Sequence, residues 1–338
     1  MARLILWRLA QLPIILLVIY TLTLTLAWLV PGNPLENPEG RRPPTEVVAA
    51  LERQYNLDSF PRFYVEYLAG ATGVRWAASR LAGGEERAVD SSDLEGVSLP
   101  GEWRPRHVFD LGPSLRNRDR SVNDIVSDTL PVSIALGGAA ILLALVIGVT
   151  AGVVGAVKPN SLSDLATLGV AMVGISLPSF VIGTVLLLLF GVLLPVFPVA
   201  SWSPGGAVLP AVTLSLPFAA YIARLTRMGM IDALGADYVR TARAKGAAER
   251  VVLMRHALKN AFLPVLSYLG PATAYAMTGS FVVERVFNVP GIGQHFVNAV
   301  QTKDLFLIMG VVLVFGTMLV LFNLAVDVLY RWIDPRIE

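Results

Sequence analysis

The chain has 338 residues, 54% of them hydrophobic and 15% charged, with a mean hydropathy of +0.62. Those proportions exclude an ordinary soluble domain and fit a polytopic membrane protein. A net charge of +2 gives no footing for nucleic acid, and the absence of cysteine excludes disulfides, thiolate metal sites and thiol nucleophiles.

A helix needs about 20 apolar residues to cross roughly 30 Å of hydrocarbon, so uncharged runs can be read as spans. The first, 9–30, follows Arg3 and Arg8; it is too long for a signal peptide and lacks a small-residue cleavage site before Pro31, so an uncleaved anchor is expected. Residues 31–129 form a segment between spans. Within it Thr45 is placed to cap a helix over 46–55. Asp58 or Ser59 is placed to cap another over 61–68, with Phe63, Val65, Tyr67 and Leu68 as its apolar set. A polar stretch between Arg75 and Arg106, flanked by Trp76 and Trp103, has no periodicity and reads as an irregular insert.

Further spans are expected over 130–157, 165–194, 208–223, 261–283 and 305–326, with a Pro- and Gly-rich turn at 195–206, for about six in all. In the second, Ala140, Ala144, Gly148, Gly152 and Ala156 recur every four residues on one helix face, a spacing that lets another backbone approach closely, foremost within the same subunit. Gly270, Ala274 and Thr278 repeat the pattern in the fifth. Lys and Arg in short loops resist translocation and fall on one side if every run spans: Arg3, Arg8, Lys158, the set from Arg224 to Lys259, Arg331 and Arg336. Both termini are therefore expected in the cytosol and 31–129 outside. The expected organisation is an anchor (1–30), an extracytoplasmic segment (31–129) and a five-helix core (130–338) containing a cytosolic loop at 232–264.

That loop is the most specific stretch of the chain. Asp237 is placed to cap a short helix over 238–245, and Gly246 supplies a positive-φ residue to end it. A second helix over 248–260 carries Glu249 at its start and Arg255, His256 and Lys259 towards its end, matching the helix dipole, with Val251, Met254 and Leu258 along one face. An apolar face with a charged rim suits docking to a protein. It equally suits an amphipathic helix lying on lipid phosphates, and physical reasoning leaves both open.

The runs RTARAKG (240–246) and RHALKNAFLP (255–264) resemble the coupling loop of permease subunits in binding-protein-dependent ABC importers, in the branch handling dipeptides, oligopeptides and nickel. Arg240, Thr241 and Ala242 stand in the E-A-A places of the wider family and Gly246 in its glycine place; Ala242, Gly246 and Leu258 match that wider pattern, and the departures follow the peptide branch. PGNP at 31–34, the stretch 109–136, VERVFNVPGIG at 283–293, and Asp327 with Asp334, Pro335 and Arg336 are also similar to it.

The resemblance implies an all-α polytopic protein of the type I ABC importer permease fold, in a bacterial inner membrane. It implies a second, homologous permease subunit, two ATPase subunits and an extracytoplasmic substrate-binding protein as partners. The chain has no G-x-x-x-x-G-K-[ST] loop, so it is expected to be no enzyme and to hold no cofactor, with ATP and Mg bound by the ATPases. Tyr238, Arg240, Thr241, Ala242, Lys245, Gly246, Ala247, Glu249, Arg255 and His256 would form the ATPase-coupling loop. Alternating access then follows from its movement as a rigid lever.

Candidate pathway residues are Thr273, Tyr275, Thr278 and Ser280, which offer a peptide hydroxyls, with Met277 and Phe281 as adaptable apolar contacts. Glu284 and Asp327, near span ends, are candidates for pairing or gating. His107, His256 and His295 are scattered, with no H-E-x-x-H, which speaks against a membrane enzyme and against a metal site. A self-contained secondary transporter would show repeats or charged midspan residues, and the uncharged character of 165–223 speaks against it. Peptides are the expected cargo, with nickel chelates or oligosaccharides as alternatives.

Overall fold

The computed structural model describes residues 2–35, 45–81, 107–116, 120–199, 201–278 and 281–333. Most of the polar insert, with Trp103, lies outside them, as do Ser280, Asp334, Pro335 and Arg336.

Among the described residues every regular element is helical. The elements are α1 (Ala2–Leu29), α2 (Thr45–Gln54), α3 (Phe60–Ala71), α4 (Val74–Leu81), α5 (Val122–Val157), α6 (Leu162–Ser176), α7 (Ser179–Leu186), which continues as a π-helix (Leu187–Leu193), and α8 (Val208–Gly235). Then come α9 (Asp237–Ala244), α10 (Glu249–Val251), a π-helix (Val252–Ala257), α11 (Leu258–Ala261), α12 (Leu263–Met277), α13 (Phe281–Phe287), α14 (Ile292–Thr302) and α15 (Leu305–Ile333). Four helices, α1, α5, α8 and α15, are long and apolar enough to cross a membrane, and the bent pair formed by α6 with α7 and its π-helical extension makes up to five. The expected third span is thus broken. Leu177, held extended (φ −86°, ψ 132°) by the Pro178 that follows it, ends α6, and the chain resumes at 107° to its former direction. The expected fifth span is shorter than sequence suggests: α12 has 15 residues and stops at Thr278.

The contacts divide the chain into two compact units. One comprises residues 14–128 and 295–316, built on an aromatic cluster. Phe63 and Tyr67 are buried on α3 beside Phe306, Tyr20 stacks on Tyr67 with centroids 5.8 Å apart, and Trp28 meets Phe60 edge-on at 5.5 Å. Val65, expected in that core, is 62% exposed, because Phe63, Tyr67 and Gly70 follow the helical period and Val65 does not. Ser59 stands at the N-cap of α3 with no side-chain cap bond. Asp304, buried ahead of α15, accepts hydrogen bonds from the Ser114 hydroxyl (2.7 Å) and the Leu307 N–H (3.2 Å).

The other unit comprises residues 1–13, 129–294 and 317–338. Its core joins α5, α8, α12 and α13 through Leu136, Ala140, Ala144, Phe218, Ile222, Ala272 and Phe287. The small-residue stripe of α5 lies against α8: a Cβ on Gly148 would sit 2.6 Å from the Ala219 carbonyl oxygen, and one on Gly152 2.6 Å from that of Ala223. Gly270 gives α15 the same access to α12, where a Cβ would meet Asn323 Oδ1 at 2.9 Å. Backbone contact of this kind replaces the hydrophobic effect as the force between helices in lipid.

Candidate functional site

The loop between α8 and α12 is a closed piece of structure rather than a tether. Helix α9 begins at Asp237 with Ala236 as its N-cap, so Asp237 is the first helical residue and not the cap that sequence suggested; its side chain pairs with Arg240 at 3.3 Å. At the other end Gly246 has φ +76°, as expected, and the geometry is a Schellman motif. The Ala247 N–H donates to the Ala242 carbonyl (3.2 Å) and the Gly246 N–H to that of Arg243 (3.0 Å). Ala242 and Ala247 are the residues whose apolar contact completes that motif, and both pack with Val239 and Val252.

Across the turn Arg243 grips Glu249 with two bonds, Nη2 to Oε1 at 2.6 Å and Nε to Oε2 at 3.2 Å. The hydrogen bonds from Arg243 hold the Glu249 carboxyl below the usual carboxylate range, and Glu249 in turn raises Arg243. Sequence reasoning missed Arg243; the i, i+6 spacing across a glycine turn was the available signal.

In the second half of the loop Val251 and Met254, read from sequence as part of an apolar face, are exposed, at 42% and 56%, with Leu258 half-buried, while Val252, Ala257 and Ala261 are buried. A second, inward face thus lies beside the open one; the π-helix over Val252–Ala257 widens each turn, and a count by the α-helical period does not find it. The buried face meets Ala156 of α5 and Met230 and Ala233 of α8. Gly229 of α8 lets Ala261 approach so closely that a Cβ there would sit 2.8 Å from its carbonyl oxygen. On the open side stand Tyr238, Arg240, Thr241, Lys245, Glu249, Arg250 and Arg255, with His256 half-buried.

Next to this loop, Asp164 at the start of α6 takes both arms of Arg227 on α8, at 2.5 Å and 2.7 Å, and is 1% exposed. The Ser161 cap and the Asn160 N–H bind the same aspartate. Gly155 makes room for the pair: a Cβ there would lie 3.1 Å from Asp164 Oδ1.

Glu284 is fully buried on α13. It accepts from the Ser133 hydroxyl of α5 (Oε1, 2.8 Å) and from the Gly293 N–H (Oε2, 2.8 Å), while Ser133 Oγ accepts from the Ile292 N–H at 3.0 Å. Burial pushes its carboxyl above the ordinary range, against those hydrogen bonds. The two glycines of PGIG leave space for the carboxylate, since a Cβ on Gly291 or Gly293 would approach Oε2 to 2.5 or 2.7 Å. Asp327 lies 2.8 Å from Arg8 Nη2, an ion pair without hydrogen-bond geometry.

The other candidates are scattered in role. The side chain of Met277 packs towards Gly138 of α5, Thr273 is half-buried, Thr278 returns its hydroxyl to the carbonyls of Ala274 (2.8 Å) and Tyr275 (3.3 Å), and Phe281 covers Gly293.

Several apolar helices long enough to cross a membrane, with a basic helical pair packed against two of them, define a polytopic membrane protein with a charged loop. The model of the family "Binding-protein-dependent transport system inner membrane component" matches residues 135–338, and the chain belongs to that family. It is 39% identical over 327 residues to the oligopeptide transport system permease protein OppB of Escherichia coli K12, covering 96% of this chain and 95% of that one. It is 36% identical over 340 residues to the dipeptide transport system permease protein DppB of Bacillus subtilis 168, covering 100% and 98%. A chain of the MetNI methionine ABC transporter, solved in inward-facing conformations, is similar in fold alone, with a TM-score of 0.50, 15% identity, and coverage of 62% of this chain and 96% of that one.

Proposed function

We propose that the chain is a permease subunit of an ATP-driven importer that carries di- or oligopeptides across a bacterial inner membrane. The observation that carries this is similarity over almost the whole length to permeases named for peptide transport in two distant bacteria. The partners are a second, homologous permease, two ATPase subunits that bind ATP and Mg, and a substrate-binding protein on the outer face. Both termini and the loop between α8 and α12 lie in the cytosol, and residues 31–129 lie outside between the anchor (1–30) and the core (130–338).

The loop seats in the ATPase subunit. Tyr238, Arg240, Lys245 and Arg255 are placed on its open side to make the contacts, while Ala242, Gly246 and Ala247 fix its turn. Three features support a lever: the Schellman closure, the Arg243–Glu249 clasp, and packing of Ala257 and Ala261 on α5 and α8. Force on such a body moves the spans instead of bending the loop, and alternating access follows as a rigid-body transition. Linkage makes the effect reciprocal, so a loaded binding protein favours the state in which the ATPases close.

The test is ATP hydrolysis by the reconstituted complex with its binding protein, offered peptides, nickel chelates and oligosaccharides in turn. Stimulation by peptides is expected; stimulation by nickel or sugar alone overturns the substrate, and transport by this chain without ATPases overturns the mechanism.

A further inference from the structure

Helices α8 and α12 are buried on one side and open on the other, and the open side is chemically unusual. On α12 it runs through Ser267, Pro271 and Tyr275, and on α8 through Tyr221 and Arg224, positions three or four apart that share a face. Tyr221 is 40% exposed and Tyr275 66%. The rings tie the two helices: Tyr221 lies 4.4 Å from Tyr268, and Tyr275 meets Phe218 edge-on at 6.2 Å. Thr273 and Met277, expected at the pathway, lie roughly opposite on α12, near 200° and 240° around from Pro271 at about 100° per residue.

Three observations show that hydrocarbon is a poor neighbour for this strip. Among the described residues the hydroxyls of Tyr221, Tyr268 and Tyr275 have no hydrogen-bond partner, so a lipid neighbour would leave three donors unmet. Arg224, one turn further on, has no acidic partner among the described residues, whereas Arg227 has Asp164. Pro271 has no N–H, so the Ser267 carbonyl one turn before it loses its normal helical donor on the same open face.

We infer that this strip is a contact surface for the transported peptide. The tyrosyl hydroxyls donate to peptide carbonyls, the Ser267 carbonyl accepts a peptide N–H, and Arg224 takes a carboxylate, the terminal one being common to every peptide. All of these groups read the backbone, and the rings accept side chains of differing shape. The inference rests on the peptide-importer reading.

Because the chain has no cysteine, Tyr221→Cys and Tyr275→Cys each give a single reactive site on it. In the complete complex in lipid, a charged maleimide is expected to label both at least about tenfold faster than Leu142→Cys, a reference on the apolar exposed side of α5, because thiolate chemistry needs water. Excess transported peptide should protect both sites. Labelling as slow as the reference means that lipid or the second permease covers the strip, and labelling without protection means water without peptide; either overturns the inference. In parallel, uptake of a peptide is compared with that of its C-terminal amide. Arg224→Gln should shrink the wild-type preference for the free acid several-fold, about the worth of one charge-assisted hydrogen bond, and an unchanged preference removes Arg224 from the surface. If the wild-type complex takes up no peptide at all, the functional reading fails first and this inference with it.

Discussion

Replacing Glu284 by alanine tests how the VERVFNVPGIG stretch is held. The carboxylate satisfies two buried donors, the Ser133 hydroxyl and the Gly293 N–H. A buried donor left without a partner costs about 1–3 kcal/mol, so the alanine variant should lose about 2–6 kcal/mol. On a scale of about 2–4 °C per kcal/mol that is a Tm lower by about 4 °C or more, read by thermal unfolding of the purified complex. Glu284→Gln keeps one acceptor and should fall between wild type and alanine. The pH dependence has a definite sign. Burial raises this carboxyl from its ordinary value near 4.5, so the folded state holds the proton more tightly than the unfolded chain. Its contribution is full below the unfolded value and declines as pH rises through the folded one, and the gap between wild type and Glu284→Gln should narrow over that rise. An alanine variant that melts within about 1 °C of wild type refutes the latch, since that is less than the smallest loss on this scale.

Gly152→Val should separate α5 from α8, because the new side chain would start 2.6 Å from the Ala223 carbonyl oxygen; overpacking of about 1–3 kcal/mol or more should appear as lost folded yield, whereas Gly169→Ala, with open space around it, should be neutral or stabilising. Arg227→Gln leaves Asp164 without its partner and should lower the Tm, with much of the loss recovered when Asp164→Asn is added, as measured by a double-mutant cycle in thermal unfolding. Gly246 has free space but φ +76°, so Gly246→Asn should couple ATP hydrolysis to uptake nearly normally while Gly246→Val should hydrolyse ATP and transport poorly; equal transport by both variants removes the mechanical role of the turn.

Much of this arrangement was legible from local chemistry. Gly246 announced its turn, since few residues adopt positive φ, and the four-residue spacing from Ala140 to Ala156 announced a face for close packing. What escaped had non-local or geometric causes. Asp164 and Arg227 are 63 residues apart, and no periodicity links them. The inward face of the second loop helix, with Val252, Ala257 and Ala261, escaped because a π-helix leaves no mark in a count by 3.6. The bend at Leu177 had a signal in Pro178, but a long uncharged run on both sides made one straight span the simpler reading. Glu284 was visible as an expensive residue, and only the fold shows that Ser133 and Gly293 receive it.

The Asp164–Arg227 pair also bears on how the helices settle in the membrane during synthesis. Both residues stand beyond the apolar runs, Arg227 past 208–223 on α8 and Asp164 at the start of α6, so neither charge has to enter hydrocarbon. Because α6 is made before α8, the aspartate is already in place when Arg227 emerges, and the two-pronged ion pair sets the depth and rotation of the later helix against the earlier one. The order of the two residues along the chain thus favours a biosynthetic sequence in which one helix supplies the register mark for the next.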